Sequence, residues 1–254
     1  MKPKFSIITA TYNSEKFIEE TYASILKQTV SDWEWIVTDD FSSDKTRDIL
    51  QNLSKEDFRI KLIFNKNNLG AGLSRNQSII NSNGQFLVFL DSDDLWSPSK
   101  LEKQRSFMLQ NNAGICITCE TVISEDGSPT GRIIDLYAPK TINYFDLLSK
   151  RAVFGCSSVM VDRSIIDSDI IMPALRTGQD YVTWLGLLKI GHNAVLLREP
   201  LTSYRLVSNS ISKNKIKKAI RQWEIYRSVE SVALPSAMYY FANYVIRAIT
   251  ERFR

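Results

Sequence analysis

The stretch GQFLVFLDSDDLWSPSK, residues 84–100, runs from a glycine through five consecutive apolar residues into three carboxylates within four positions, Asp91, Asp93 and Asp94. An unbroken apolar run of that length, opened by glycine, reads as a short strand buried on both faces, as in a parallel sheet covered by helices. The acids that follow repel one another, and such a cluster calls for a cation or a donor network to offset it. The plainer reading is a solvated loop with a cap for a helix starting near Pro98.

Upstream, FSIIT (5–9) and WEWIVT (33–38) read as buried strands rich in β-branched and aromatic residues. Between them, NSEKFIEETYASILKQT (13–29) places apolar or ring residues at 17, 18, 22, 25 and 26, a helical period, with a cap expected at Asn13 or Ser14. SSDKTRDILQNL (42–53) predicts a second helix, IKLIFN (60–65) a third strand, GLSRNQSIINSN (72–83) a third helix closed by Gly84, and QFLVFL (85–90) a fourth strand. The alternation predicts an α/β fold, a mostly parallel central sheet with helices on both faces. Ligands of such sheets gather beyond the C-terminal ends of the strands. There fall TATYN (9–13), TDDFSSD (38–44), NKNNLGAG (65–72) and DSDD (91–94).

Downstream, the pattern predicts a helix over 98–112, a strand over 114–124, a turn at 125–129 and a short helix over 142–150. It then predicts a strand running into a helix over 156–166, and an amphipathic helix over 177–191 with Asp180 near its start. No linker separates these, so residues 1–212 read as one domain and 213–254 as a C-terminal extension.

The formal charge of +4 is uneven: residues 215–254 hold eight Lys/Arg against three Asp/Glu, and the rest is about neutral. A body without a basic face argues against a nucleic-acid partner. Cys116, Cys119 and Cys156 lack a matching second pair, and His192 is the single histidine, so reduced core thiols are expected rather than zinc. The N-terminal apolar run is too short for a secretory signal, and no apolar run reaches the roughly 18 residues of a membrane span, which together predict a cytoplasmic location.

Asp91 and Asp93, two apart in an extended stretch, point the same way and offer an oxygen-only pair suited to Mg²⁺ or Mn²⁺, with phosphate oxygens completing the shell. Asp39 and Asp40 are either helix caps or acceptors for a ligand's N–H or diol. Arg75 adds a donor fork; Gly70 and Gly72 permit close approach, but the segment lacks the Gly-Lys-Ser/Thr of a phosphate loop. Asp180 is either a helix-start acid or a general base.

With their spacing, FSIITATYNSEKFIEETYASILKQTVSDWEWIVTDDFSSDKT, NNLGAGLSRNQSI, GQFLVFLDSDDLWSPSKLEKQ and GQDYVTWLGLLKIG resemble the GT-A glycosyltransferases of family 2. The likeness is to bacterial enzymes that build capsule, lipopolysaccharide or teichuronic acid, and covers roughly residues 4–212. It implies the GT-A αβα sandwich, Mn²⁺ or Mg²⁺, and single-displacement, inverting transfer from a nucleotide-sugar, by family habit a UDP-sugar. The acceptor it implies is a growing glycan or lipid-linked sugar. Ala10, standing where proline is common, and Tyr12 would line the uracil side, and Asp39 would accept from the base. Arg75 would lie near the diphosphate; Asp91, Ser92 and Asp93 form the acidic signature, with Asp93 on the metal and Asp91 between metal and ribose. Asp180 would be the base, and Gln179 replaces an acid common before it. Arg205, in YRLV (204–207), would meet the diphosphate, though Val207 stands where histidine is frequent. Trp96, Gly155, Cys156, Gln179 and Trp184 are expected on the acceptor side.

Competing classes are a metal-dependent nucleotidyltransferase or phosphoesterase and a non-catalytic sugar-binding protein. The basic, aromatic extension reads either as a helix on the inner face of a membrane or as a helical hairpin split near Pro235, packed on the core or on a second copy.

Overall fold

In the computed structural model, which describes residues 3–207 and 215–250, the run after Gly84 forms strand β4 (Phe86–Phe89), every residue buried. It pairs in parallel with β1 (Phe5–Thr11), Phe5 opposite Phe86. β1 pairs in parallel with β2 (Trp33–Asp39), and β2 with β3 (Ile60–Phe64). The second half adds β5 (Leu95–Trp96), β6 (Ile115–Ile123), β7 (Pro129–Ile134), β8 (Thr141–Ile142), β9 (Met160–Asp162) and β10 (Ala194–Arg205). The strand order is β3-β2-β1-β4-β9-β6-β10-β5, with β7 beside β6 and β8 beside β10. β9 runs antiparallel to both neighbours, which keeps β6 and β10 in the direction of β1–β4.

The helices form two layers. α1 (Ile18–Leu26), α2 (Thr46–Glu56) and α4 (Lys100–Gln110) cover one face, where Ile18, Ile25, Leu50 and Leu101 meet Phe5, Trp35 and Val88. On the other face, α3 (Ala71–Ile80), α5 (Tyr144–Leu148) and α6 (Gln179–Lys189) pack on Ile8, Ile36, Leu87 and Phe89. Alternation along the strands sorts these residues, because successive side chains point to opposite faces. The chain is the α/β sandwich that the period changes predict.

Two helices, α7 (Lys215–Glu224) and α8 (Leu234–Thr250), make a hairpin on the α5/α6 face, with Pro235 in the first turn of α8. A π-helical turn, Ile225–Val229, ends the first arm. Ile225, Tyr226 and Ala237 enter the core, and the Tyr226 hydroxyl donates to the Leu148 carbonyl at 2.7 Å. The 204–207 motif is described, whereas the start of the extension at residues 213 and 214 lies outside the described residues.

Three local expectations are corrected. Helix α1 starts only at Ile18, with Phe17 as an N-cap that makes no side-chain bond. Asn13 sits at φ 51° and accepts through Oδ1 from the Ser43 N–H at 2.8 Å, while Ser14 bonds Ser92, so neither caps α1. No helix follows β9: Asp162 Oδ1 accepts from the N–H and hydroxyl of Ser164, and that turn takes the chain away. Strands β5, β7, β8 and β10 are additions that the periodicity does not announce.

Candidate active site

The C-terminal ends of β1, β2 and β4 lie side by side, and the acidic segments meet there. Asp39, the last residue of β2, is fully buried. Its Oδ2 accepts from the Ser42 N–H at 3.1 Å and from Arg47 Nε, while Oδ1 is buried with no donor among the described residues. A buried carboxylate oxygen without a donor is costly, and a ligand N–H is the chemistry that would satisfy it. Tyr12 and Phe41, each 51% exposed, flank this corner, Phe41 at φ 69°, a strained value for a bulky residue. Ala10 is half-buried. Asp40 caps neither α2 nor α3: its carboxylate accepts from Asn65 Nδ2, Leu69 N and Gly70 N at 2.8–2.9 Å, which shapes the loop into α3.

That loop delivers Arg75, which is 6% exposed and ion-paired with Asp91. Nε and Nη1 of Arg75 are buried without an acceptor among the described residues. Burial opposes the guanidinium charge, but Asp91 and Asp180 more than restore it, so its pKa is raised. Gly72 explains how α3 comes so close: a Cβ there would stand 2.9 Å from Gln179 Cγ at the start of α6. The same approach brings Arg75 to Asp180.

The aspartate loop is held from below. The Asp91 N–H donates to Ser157 Oγ at 3.0 Å, and the Ser157 hydroxyl donates to Asp94 Oδ2 at 2.6 Å. Thr21 donates to the carbonyls of Ser92 and Asp94, and Ser92 Oγ bonds Ser14 Oγ at 2.8 Å. Asp94 is buried, and desolvation and the charges of Asp93 and Asp91 push it well above the carboxylate range. Asp94 is thus the internal anchor, and the Ser92 side chain faces inward rather than toward a ligand.

Asp91 and Asp93 are half-buried. Burial and the Asp91 charge push Asp93 up to about 6, and no protein cation pairs with its carboxylate among the described residues. Two adjacent oxygen donors, one lacking a counterion, fit a hard divalent ion whose other positions are filled from outside the protein. No group of three or more metal-ligating side chains exists among the described residues, so such an ion would need oxygens from its ligand.

Asp180 lies in the first turn of α6, behind Gly178 at φ 76°. Burial raises its pKa, Arg75 opposes this, and Asp91 adds to it. Lys150, which the sequence reading passes over, also acts on Asp180; burial lowers its pKa to about 7, and its ammonium lies 3.3 Å from the Tyr181 ring centroid. No pattern marks a single loop lysine. Glu120 had a legible signal, an acid within the apolar run ICITCETVI. It is 2% exposed with Oε1 unpartnered, and burial, then the charges of Asp135 and Asp91, push it up to about 8. It packs against Gly155, where a Cβ would come within 2.2 Å of Glu120 Oε2, so only glycine fits.

Other expected residues are placed differently. Trp96 is 4% exposed and donates through Nε1 to the Ser157 carbonyl at 2.9 Å; Trp184 is fully buried, edge-on to Phe89. Both are core rings and do not line an acceptor pocket. Cys156 is buried, as are the free thiols of Cys116 and Cys119, and Gln179 is buried with Oε1 unpartnered. Arg205 does not face the rim either. Its side chain is 1% exposed; Nε donates to the Asp93 carbonyl, Nη1 to the Glu125 carbonyl and Nη2 to Glu20 at 2.7–2.9 Å, and its N–H to Asp94 Oδ1. With every nitrogen occupied, it is a clamp on the aspartate loop.

Residues 6–204 match the model of glycosyl transferase family 2. The chain is 42% identical over 251 residues to the putative teichuronic acid biosynthesis glycosyltransferase TuaG of Bacillus subtilis (strain 168), covering 99% of this chain and 98% of that one. It is 38% identical over 247 residues to the Escherichia coli UDP-Glc:alpha-D-GlcNAc-diphosphoundecaprenol beta-1,3-glucosyltransferase WfgD, covering 97% and 94%. Among solved structures it resembles S. aureus TarS 1-349 in complex with UDP-GlcNAc, with a TM-score of 0.73 at 21% identity over 89% of this chain and 65% of that one. A mannosyltransferase from Pyrobaculum calidifontis, in complex with GDP-Man and Mn2+, gives 0.73 at 16% identity over 96% and 71%. These structural likenesses are likenesses of fold.

Proposed function

Because this chain belongs to glycosyl transferase family 2, we propose that it moves a sugar from a UDP-sugar to a hydroxyl of a lipid-linked glycan, with inversion at the anomeric carbon. The observation that carries this reading is the meeting of Arg75, Asp91 and Asp180 on one rim, a donor fork and two carboxylates in mutual electrostatic contact. The relative from Escherichia coli, whose name states a UDP-glucose donor and a diphosphoundecaprenol-linked acceptor, supports the choice of donor and acceptor class.

In this mechanism Asp39 Oδ1 accepts from the base N–H, and Tyr12 and Phe41 border the base. The unpartnered nitrogens of Arg75 bind diphosphate oxygens. Asp91 and Asp93 would hold Mn²⁺ or Mg²⁺, which supplies charge to offset the departing diphosphate. Asp180 takes the proton of the acceptor hydroxyl, whose oxygen attacks the anomeric carbon from the face opposite the diphosphate. The bond from that carbon to the phosphate oxygen breaks, and UDP leaves. A raised pKa suits Asp180 to this, since a base works best with a pKa near the operating pH.

The test is incubation with a UDP-sugar, Mn²⁺ and a lipid-linked acceptor, followed by analysis of released nucleotide and product linkage. UDP release with an inverted linkage is expected. Pyrophosphate release would replace this reading with nucleotidyl transfer, and a retained anomer would remove the single displacement.

A further inference from the structure

The C-terminal hairpin exposes Ile216, Ile220, Leu234, Met238, Tyr239 and Ile246, each more than half accessible. At about 100° per residue, Ile216, Ile220 and Trp223 share one face of α7, and Leu234, Met238, Phe241 and Val245 share one face of α8. Trp223 and Phe241, half-buried against the core, pack edge to face with ring centroids 5.4 Å apart and bridge the exposed residues of the two helices. Lys217 and Arg221, one turn apart, stand on the flank of this strip of exposed side chains. Residues 215–250 carry six Lys/Arg against two Asp/Glu, and α8 contains no acid. Glu224 pairs with Arg221 at 2.9 Å, and Glu230 accepts from Tyr144 and Lys189 at 2.7 and 3.0 Å, so the charge offered to a partner is the net +4 of residues 215–250.

We infer that this strip docks on an anionic lipid surface, with its apolar side chains in the interface and its basic flank over the headgroups. The hairpin lies on the bilayer, since no helix among the described residues is long and apolar enough to cross one. Charge favours lipid over a second copy of the chain. Two like strips would bring their basic flanks together, whereas an anionic surface turns that repulsion into attraction.

The docking face is tied to the acceptor side of the site. A Cβ on Gly178, the residue before the helix that carries Asp180, would stand 3.0 Å from Ile225 Cδ1. Arg247 donates to the carbonyl of Lys150, and Tyr226 to that of Leu148. A docked hairpin therefore holds Asp180 near the bilayer from which a lipid-linked acceptor arrives. This consequence rests on the function proposed above; the docking does not.

The full chain is sedimented with vesicles of phosphatidylcholine alone and with vesicles of equimolar phosphatidylcholine and phosphatidylglycerol, at low and high salt. Binding to the anionic vesicles is expected to exceed binding to neutral ones by about tenfold or more, and to fall with salt. The double variant Ile220→Glu/Met238→Glu changes two exposed side chains and should weaken binding by about tenfold or more, with UDP binding unchanged as evidence of an intact fold. Equal binding to both vesicle types, or unaltered binding by the variant, overturns the docking. So does a dimer in light scattering that the variant splits, which would assign the strip to a second copy. Transfer to a detergent-solubilised acceptor separates the two readings. Transfer without vesicle binding overturns docking alone, and vesicle binding without transfer supports docking while removing the proposed function.

Discussion

Replacing Asp180 by Asn keeps the side chain's size but removes the proton acceptor, so turnover with acceptor should fall by about 10²–10⁴ while UDP binding in Mn²⁺ stays within a few-fold. Isothermal titration and initial rates on the same preparation check this, and unaltered turnover would end the base assignment. Asp93 carries a pH signature instead. Its ordinary value of 3.8 is raised to about 6 in the folded protein, so between these values the folded state binds more proton than the unfolded one. Without a divalent ion, stability should therefore fall as pH rises from below 4 to above 6. Asp93→Asn should raise stability at pH 8 by on the order of 1–2 kcal/mol and leave pH 3.5 unchanged, the shift belonging to the acidic cluster rather than to Asp93 alone. Urea midpoints at the two pH values decide it; equal gains at both would show a packing effect. Mn²⁺ affinity of the unsubstituted protein should weaken below about pH 6, where the ion must displace a proton. The acids were legible in the sequence because charge after a buried strand has few uses. Lys150 was not, because only the folded chain sets it against Tyr181 and Asp180.

At the level of elements, β1–β4 and their helices were legible because hydrophobic period and strand length agree along that half. β10 was not. It shifts register around Pro200 and mixes buried, half-buried and exposed positions, so no period of two survives. Its last residue, Arg205, shows what this hides: a basic residue in a familiar motif reads as a ligand, yet the strand carries it under the aspartate loop. The position predicts a structural phenotype. Arg205→Met removes charged donors from the carbonyls of Asp93 and Glu125, and should cost about 2–4 kcal/mol in denaturation midpoint. Turnover falls because the loop loosens, so UDP affinity and stability should drop together. A variant of unchanged stability that loses UDP affinity would return Arg205 to the diphosphate. The tryptophans teach the same lesson, since a ring beside a motif serves the core as readily as the pocket, and only burial separates the two.

Across the whole molecule, the residues proposed for donor and acceptor are held by different elements. Asp39, Arg75 and Asp91 rest on β2, α3 and the end of β4, none of which the hairpin touches through a hydrogen bond among the described residues. Asp180 and Lys150 sit where Ile225, Tyr226 and Arg247 press against the α5/α6 face. Removing residues 234–254 would uncover Tyr226 and Trp223, take away Ala237, Tyr240 and Phe241, and release the Lys150 carbonyl from Arg247. Loss of those buried groups should cost about 3–5 kcal/mol, a large part of a typical domain's stability yet short of all of it. The truncated chain should therefore melt at a lower temperature but bind UDP in Mn²⁺ within about threefold of the full chain, a difference below about 1 kcal/mol. Transfer to a detergent-solubilised acceptor should fall by about tenfold or more, because a loosened Asp180 loses its near-attack geometry. Circular dichroism, calorimetric UDP titration and acceptor-dependent rates measure the three quantities separately. If UDP affinity falls in step with turnover, the donor residues are not independent of the hairpin, and the hairpin supports the entire site.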